Sequence, residues 1–332
     1  MGHGGDGNHA GADPPAAVPV EGPISVRVPG KINLFLAVRG RRDDGYHEIV
    51  TVLQTVDLHD TVTAELSGAQ LLSHHPSARR FMDIELAPHP DLPGGEDNLV
   101  VRAAHELLRA IGAANANGDD TDRRPRTRLE IEKAIPIAGG MAGGSADAAA
   151  ALVALNELWA CSLDREELRQ VAAQLGADVP FCLQGGTALA TGTGAQTAQV
   201  LSRGRYSWVV GISDEPLATP AVYDAWDELG QTSTVEPDAV LHALRTADPE
   251  ALGAALHNDL EAAAIELRPR LGEDREAFLD AGALGAVVSG SGPSILGLAS
   301  DAVAARELAD RVAGRFDRVE VVDAPAGGPE LV

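Results

Sequence analysis

The chain has 332 residues, 45% of them hydrophobic but only 3% aromatic, and a formal net charge of -23. That length and apolar content allow two domains with aliphatic, alanine-rich cores. The acidic balance excludes a general nucleic-acid or membrane-surface binder, which needs a basic field. Two cysteines, Cys161 and Cys182, in no metal-type spacing exclude a disulfide framework and fit a reducing, cytoplasmic compartment.

Residues 1–22 are polar and rich in glycine and proline, without a basic start, an apolar segment or an arginine. They are predicted to form a disordered tail and not a signal or transit peptide. His3 and His9 read as solvated there, and Gly2, Gly4 and Gly7 match a dinucleotide-binding pattern by chance, since no strand precedes them. No apolar run reaches about 18 residues, so no transmembrane helix is expected. Alternating, β-branched segments then predict strands over Ile24–Val28, Ile32–Val38, Glu48–Asp57, Thr61–Leu66 and Phe81–Leu86. His74-His75, between the last two, reads as loop. Asn98–Ile111 is predicted helical, with Leu99, Ala103, Leu107 and Ala110 on one face. Gly112–Thr127 is a polar surface insertion, and a strand over Arg128–Ile131 follows.

The run Pro136–Asn156, PIAGGMAGGSADAAAALVALN, is the most informative stretch. Four glycines within six positions lead into an apolar, alanine-rich helix with Leu152, Leu155, Leu158 and Trp159 on a core-facing stripe. A loop without Cβ atoms at a helix start lets backbone N–H groups approach an anion, and the helix end adds partial positive charge. It is not a P-loop, because no lysine follows Gly144, nor does it have dinucleotide-turn spacing. A glycine cluster alone is more often a connector. Here the helix behind it is too apolar to be exposed, and Ser145 and Asp147 open that helix, so a nucleotide-phosphate site is favoured.

Asp164 is placed to cap a helix over Arg165–Leu175, followed by the turn Gly176–Pro180 and a strand over Thr187–Thr191. After about residue 205 the pattern becomes a strand (Trp208–Ile212), helices opened by Thr219-Pro220, strands over Ala286–Ser289 and Ser294–Leu298, a helix (Asp301–Arg315) and a strand (Arg318–Val322). That order is an α+β half of ferredoxin-like type. The predicted division is a domain over 23–200, a second over 201–324 and a loose tail over 325–332.

Three more clusters carry chemistry. Lys31 and Asn33 alternate with apolar residues and so share one strand face, and Gly45-Tyr46-His47 follows in a polar turn. A solvated lysine and a structural turn are the plainer readings of those two features. Asp178 is followed by the apolar Val179, Pro180 and Phe181; an aspartate in a turn is usually an Asx cap, but a carboxylate against an apolar wall is a candidate catalytic group. Val287–Leu298, VVSGSGPSILGL, reads either as a plain hairpin turn or, with glycines on both sides of Ser291, as a place where backbone approaches a site. Neither a metal-type cluster nor a G-x-S-x-G elbow is present.

Taken together, PGKINLFLAVRGRRDDGYHEI, EDNLVVRAA, the glycine-rich run, GADVPF and VVSGSGP resemble the GHMP kinase superfamily over roughly residues 24 to 323. The Gly-Tyr-His turn with Gly176–Pro180 resembles the branch that phosphorylates the 2-hydroxyl of a cytidine-diphosphate-linked methylerythritol in non-mevalonate isoprenoid synthesis. The resemblance implies a two-domain α+β fold, with an N-terminal domain like ribosomal protein S5 domain 2 and a ferredoxin-like C-terminal domain. It implies Lys31 and Asp178 as the catalytic pair and ATP as phosphoryl donor with Mg2+. It places the ATP phosphates on Ile137, Ala138, Gly139, Gly140, Met141, Ala142, Gly143, Gly144, Ser145, Ala146 and Asp147, with Asn98 near the adenine and Ser145 reaching the metal. Asn33, Tyr46 and His47 are implied around the cytidine diphosphate, Tyr46 stacking on the base and His47 reading it. A small-molecule acceptor, no nucleic acid, no membrane and a monomer or weak homodimer complete the expectation. The loop departs from the family pattern: Ala138 and Ala142 stand where glycine is common, Met141 replaces leucine, Ala146 a second serine and Asp147 an asparagine. A mevalonate- or homoserine-type acceptor, or a non-catalytic nucleotide-binding regulator, are the competing readings.

Overall fold

In the computed structural model, residues 22–67, 82–112, 125–137, 139–230 and 233–332 are described. The expectations for His3, His9, the Gly2–Gly7 pattern, His74-His75 and Ala138 lie outside them, as does most of the insertion after Gly112.

The first predicted strand pairs each merge into one long element. Strand β1 is Ile24–Arg41 and β2 is His47–Ser67. Both run antiparallel, with register shifts at Pro29/Gly30, Asn33/Phe35 and Val38/Gly40. Proline and glycine at the first shift read as a break in sequence, but a bulge accommodates them without ending the strand. β3 is Asp83–Leu86, and β4 (Arg126–Glu132) begins two residues earlier than predicted, inside the expected insertion. Helix α1 is Leu99–Ala110, with Asn98 as its N-cap. Helix α2, Gly143–Leu158, is buried on nearly all sides, so the predicted stripe is part of a wider apolar surface. Such a helix needs partners all round; they are β1 and β2 on one side and α1 on another.

Helix α3 is Arg165–Leu175, closed by a capping box between Asp164 and Glu167. Helix α4 (Val179–Gln184) and strands β5 (Thr187–Gly192) and β6 (Gln196–Gln199) follow. β5 pairs with β2 and β6.

The second half contains β7 (Tyr206–Ile212), α5 (Thr219–Glu228), α6 (Asp238–Thr246), α7 (Pro249–Ala255) and a two-residue strand β8 (His257–Asn258). After it come α8 (Glu261–Leu267), α9 (Arg270–Asp280), β9 (Gly285–Val288), β10 (Ile295–Ala299), α10 (Ala302–Val312), β11 (Arg318–Ala324) and β12 (Glu330–Leu331). β11, β7, β10 and β9 form an antiparallel sheet in that order. It is the ferredoxin-like arrangement expected from the order of elements.

The two halves are more interleaved than the sequence indicates. β8 pairs in parallel with β1, so the second half lends a strand to the first sheet. Residues 325–332, expected as a loose tail, are docked instead. Ala326 exchanges backbone hydrogen bonds with Thr55 and Gly186, and β12 pairs with β1 at Val26 and Arg27. Glycine permits this: a Cβ at Gly185 would sit 2.3 Å from the Gly327 carbonyl oxygen. Among the described residues, no helix is long and apolar enough to cross a membrane.

Candidate active site

A cleft of about 880 Å³ opens between the halves. One wall is the glycine-rich loop. Helix α2 begins at Gly143 after Ala142, which is left-handed (φ 54°) and makes no side-chain cap. The first turn, whose Gly143, Gly144 and Ser145 line the cleft, therefore has no capping side chain, as an anion site requires. A left-handed conformation favours glycine, and alanine at position 142 costs roughly 1–2 kcal/mol.

The loop is pinned from behind by the turn between β9 and β10. Gly140 has φ 72°, and a Cβ on it would lie 2.2 Å from the Ser289 carbonyl oxygen. Ser289 Oγ donates to the Gly140 carbonyl oxygen at 3.3 Å. Only glycine satisfies both the dihedral and the close approach. The late glycine turn thus acts as a clasp on the glycine-rich loop.

Lys31 and Asp178 come together across this loop. Lys31 Nζ donates to Asn33 Oδ1 at 2.7 Å and to the Gly140 carbonyl oxygen at 3.0 Å, and lies 3.8 Å from Asp178 Oδ2. Asp178 is the N-cap residue of α4, yet its side chain makes no cap hydrogen bond. The carboxylate is spared for the cleft, and the Asx-cap reading fails. Asn33 shares the strand face with Lys31 and lines the cleft, as the alternation predicts. Its amide is largely committed, however: Oδ1 accepts from Lys31, and Nδ2 donates to Thr51 Oγ1 at 2.9 Å. In this structure Asn33 orients the lysine.

At the far end, Tyr46 is 68% exposed and His47 is tucked behind it, both lining the cleft. The His47 ring stacks on Tyr223 (4.7 Å between centroids) and meets Trp226 edge-on, and its Nε2 is 2.9 Å from Asp227 Oδ1. Burial, with the Asp178 charge adding to it, pushes the Tyr223 hydroxyl up to about 12. Thr219 does not cap α5 with its side chain; its hydroxyl instead shares a 2.8 Å hydrogen bond with Ser291.

The remaining loop residues divide. Gly139, Gly143, Gly144 and Ser145 line the cleft. Met141 and Ala146 are fully buried in the core, so a hydroxyl at position 146 would face apolar atoms rather than a ligand. Ile137 is half exposed beside the loop. Asn98 does not line the cleft: its Oδ1 accepts from Val100 N–H and its Nδ2 donates to the Pro93 carbonyl oxygen. Asp147 is corrected most clearly. Its carboxylate is buried and held 2.8 Å from Lys133 Nζ, which also contacts Asp60. Asp60 in turn accepts the backbone N–H groups of Ala134 and Ile135. Burial, together with the nearby Asp60, pushes the Asp147 carboxyl up to about 7 despite Lys133.

Sequence reading missed Tyr223, Asp227, Lys133 and Asp60. One signal was present: Tyr223, Trp226 and Asp227 stand at i, i+3 and i+4, one face of a helix. Among the described residues, no group of three or more side chains is arranged to hold a metal ion.

A glycine-rich loop at a helix start, clasped by a late glycine turn and faced by a lysine–aspartate pair, fits a small-molecule kinase class. The N-terminal GHMP kinase model matches residues 98–186, and the C-terminal GHMP kinase model matches 240–318. A Mycobacterium tuberculosis relative named 4-diphosphocytidyl-2-C-methyl-D-erythritol kinase is 43% identical over 317 residues, covering 94% of this chain and 93% of the relative. A Mycobacterium avium relative of the same name is 42% identical, covering 98% of each chain. A crystal structure of 4-(cytidine 5'-diphospho)-2C-methyl-D-erythritol kinase superposes with a TM-score of 0.73 at 31% identity, covering 91% of this chain and all of the other. The chain belongs to the GHMP kinases, in the branch whose members bear the name 4-diphosphocytidyl-2-C-methyl-D-erythritol kinase.

Proposed function

We propose that the protein transfers the γ-phosphoryl group of ATP to the 2-hydroxyl of 4-diphosphocytidyl-2-C-methyl-D-erythritol, a step in non-mevalonate isoprenoid synthesis. The observation that carries this reading is the Lys31–Asp178 pair, which opens onto the same cleft as the uncapped amides of Gly143 to Ser145. The names of relatives at 42–43% identity support the acceptor over mevalonate- or homoserine-type alcohols.

Phosphoryl transfer leaves the protein two tasks, alignment and charge stabilisation. In this reading the loop amides and the α2 terminus hold the triphosphate. Asp178 orients the attacking hydroxyl and accepts its proton. Lys31, held by Asn33 and the Gly140 carbonyl, offers its remaining N–H to the oxygen where negative charge grows. Mg2+ carried by ATP would supply charge neutralisation and would need only one or two protein oxygens. The Ser145 hydroxyl at the loop mouth fits that need, and with Ala146 buried it carries the role alone. Tyr46 stacks on the base and His47 reads its edge. The same reading takes the enzyme as cytoplasmic, a monomer or weak homodimer, and free of nucleic acid and membrane, in keeping with its net charge of -23.

A coupled ADP-release assay with the cytidine-diphosphate alcohol, set against mevalonate and homoserine, tests the reading. Preferred turnover of the cytidine compound is expected; preference for either other alcohol overturns it.

A further inference from the structure

His47 is fixed on three sides by one helix of the other half. Its side chain is only 8% exposed. Tyr223 covers one ring face, Trp226 meets the ring at a right angle, and Asp227 takes Nε2. Arg41 lies 3.6 Å from the other carboxylate oxygen, Oδ2, and leaves Oδ1 to the imidazole. A carboxylate only accepts, so Nε2 must carry the hydrogen. In the neutral ring Nδ1 is then a lone-pair acceptor, its state set by the partner on the opposite nitrogen.

We infer that Asp227 is a positioning residue for base recognition: through His47 it holds an acceptor nitrogen toward the cleft, which favours a pyrimidine with an exocyclic amino group over one with a carbonyl at that place. A donor meeting Nδ1 completes a hydrogen bond. A carbonyl meeting it sets two lone pairs against each other and leaves both unpaired. The inference rests on the functional reading above and adds the residue that sets its base preference.

The test uses the full-length enzyme with Asp227→Leu, which removes the acceptor at similar volume, and Asp227→Asn, whose amide oxygen still accepts from Nε2. Steady-state kinetics are measured on the cytidine-diphosphate alcohol and its uridine counterpart, with ATP varied separately. Asp227→Leu is expected to raise KM for the cytidine compound about tenfold, the worth of one hydrogen bond. It should lower the cytidine-over-uridine ratio in kcat/KM by a similar factor, with kcat and the ATP KM unchanged. Asp227→Asn should retain most of the discrimination. Unchanged discrimination in Asp227→Leu, a fall in kcat alongside KM, or equal losses in the two variants would each overturn the inference. Nitrogen-15 NMR of His47 in the wild type decides independently of whether the variants fold: a hydrogen on Nδ1 and none on Nε2 overturns it. A wild type that turns over neither pyrimidine compound overturns the parent reading instead, which keeps the two failures apart.

Discussion

Two lysine–aspartate clusters flank the glycine-rich loop, built from the same residue types and differing in what they can reach. Lys31 and Asp178 stand 3.8 Å apart, too far for a direct hydrogen bond, and the Asp178 side chain is about one-third exposed to the cleft. Lys133 is wedged between Asp60 and Asp147, with all three side chains sealed from solvent. The loose pair leaves room for a hydroxyl between its members. The tight cluster uses its charges to tie β2, the segment before the loop and the first turn of α2 into one block. Openness, not composition, separates the group that can do chemistry from the group that holds the chemistry in place.

The contrast is tested most severely by exchanging charge in each cluster. Asp178→Asn and Lys31→Met should each lower turnover by at least about 10²-fold, the low end for a positioned acid–base group, while the thermal midpoint moves little. Near-normal turnover in both variants would remove the open pair from the chemistry. Lys133→Met should act the other way round. The buried Asp60 carboxylate loses its counter-charge and Asp147 its hydrogen-bond partner, and breaking a buried pair costs about 3–5 kcal/mol. Urea unfolding would show that loss; a cost below about 1 kcal/mol would mean that the cluster is not holding the block.

A smaller effect probes the exposed rim. Tyr46 packs little against its own protein, being 68% exposed. Tyr46→Ala should therefore leave stability unchanged and weaken substrate binding by about 1–3 kcal/mol if the ring stacks on the base. An unaltered Michaelis constant for the cytidine compound would reject the stacking role.

What could be read from the sequence follows the range of the interactions. Strand alternation, the helix cap at Asp164 and the glycine loop are local patterns, and they appear where predicted. Lys31 and Asp178 were legible because each sits in a short motif, although nothing local says that they meet. The sealed cluster was not legible: Lys133 and Asp60 are 73 positions apart, and Lys133 reads as an ordinary surface lysine at a strand end. Asp227 is 180 positions from His47 and lies on an ordinary-looking helix. Asp147 misled for the same reason, since a polar residue in a first helical turn resembles a ligand until the helix is rotated to bury it. The C-terminal residues looked like a tail because their order comes from backbone pairing with β1, which leaves no side-chain pattern.

Asp147→Asn should have the subtlest effect and separates the two clusters by pH. The Asp147 carboxyl is raised to about 7, chiefly by burial, whereas an unfolded aspartate titrates near 3.9. Between those values the folded protein holds a proton that the unfolded chain releases. The stabilising contribution of this group is therefore complete below about pH 4 and is lost as pH rises through about 7. Asparagine keeps the shape and a hydrogen-bonding oxygen for Lys133, and Asp60 still balances the lysine charge. The variant should thus unfold at the same or a higher temperature than the wild type at pH 8, with the difference shrinking toward pH 5. All other titrating groups are common to both proteins, so the difference curve isolates this carboxyl. Turnover should change less than in the Asp178 variant, because Asp147 lies behind the loop and not in the cleft. A stability difference that does not vary with pH would show that Asp147 titrates as an ordinary aspartate, and the sealed cluster would then be no more than a surface ion pair turned inward.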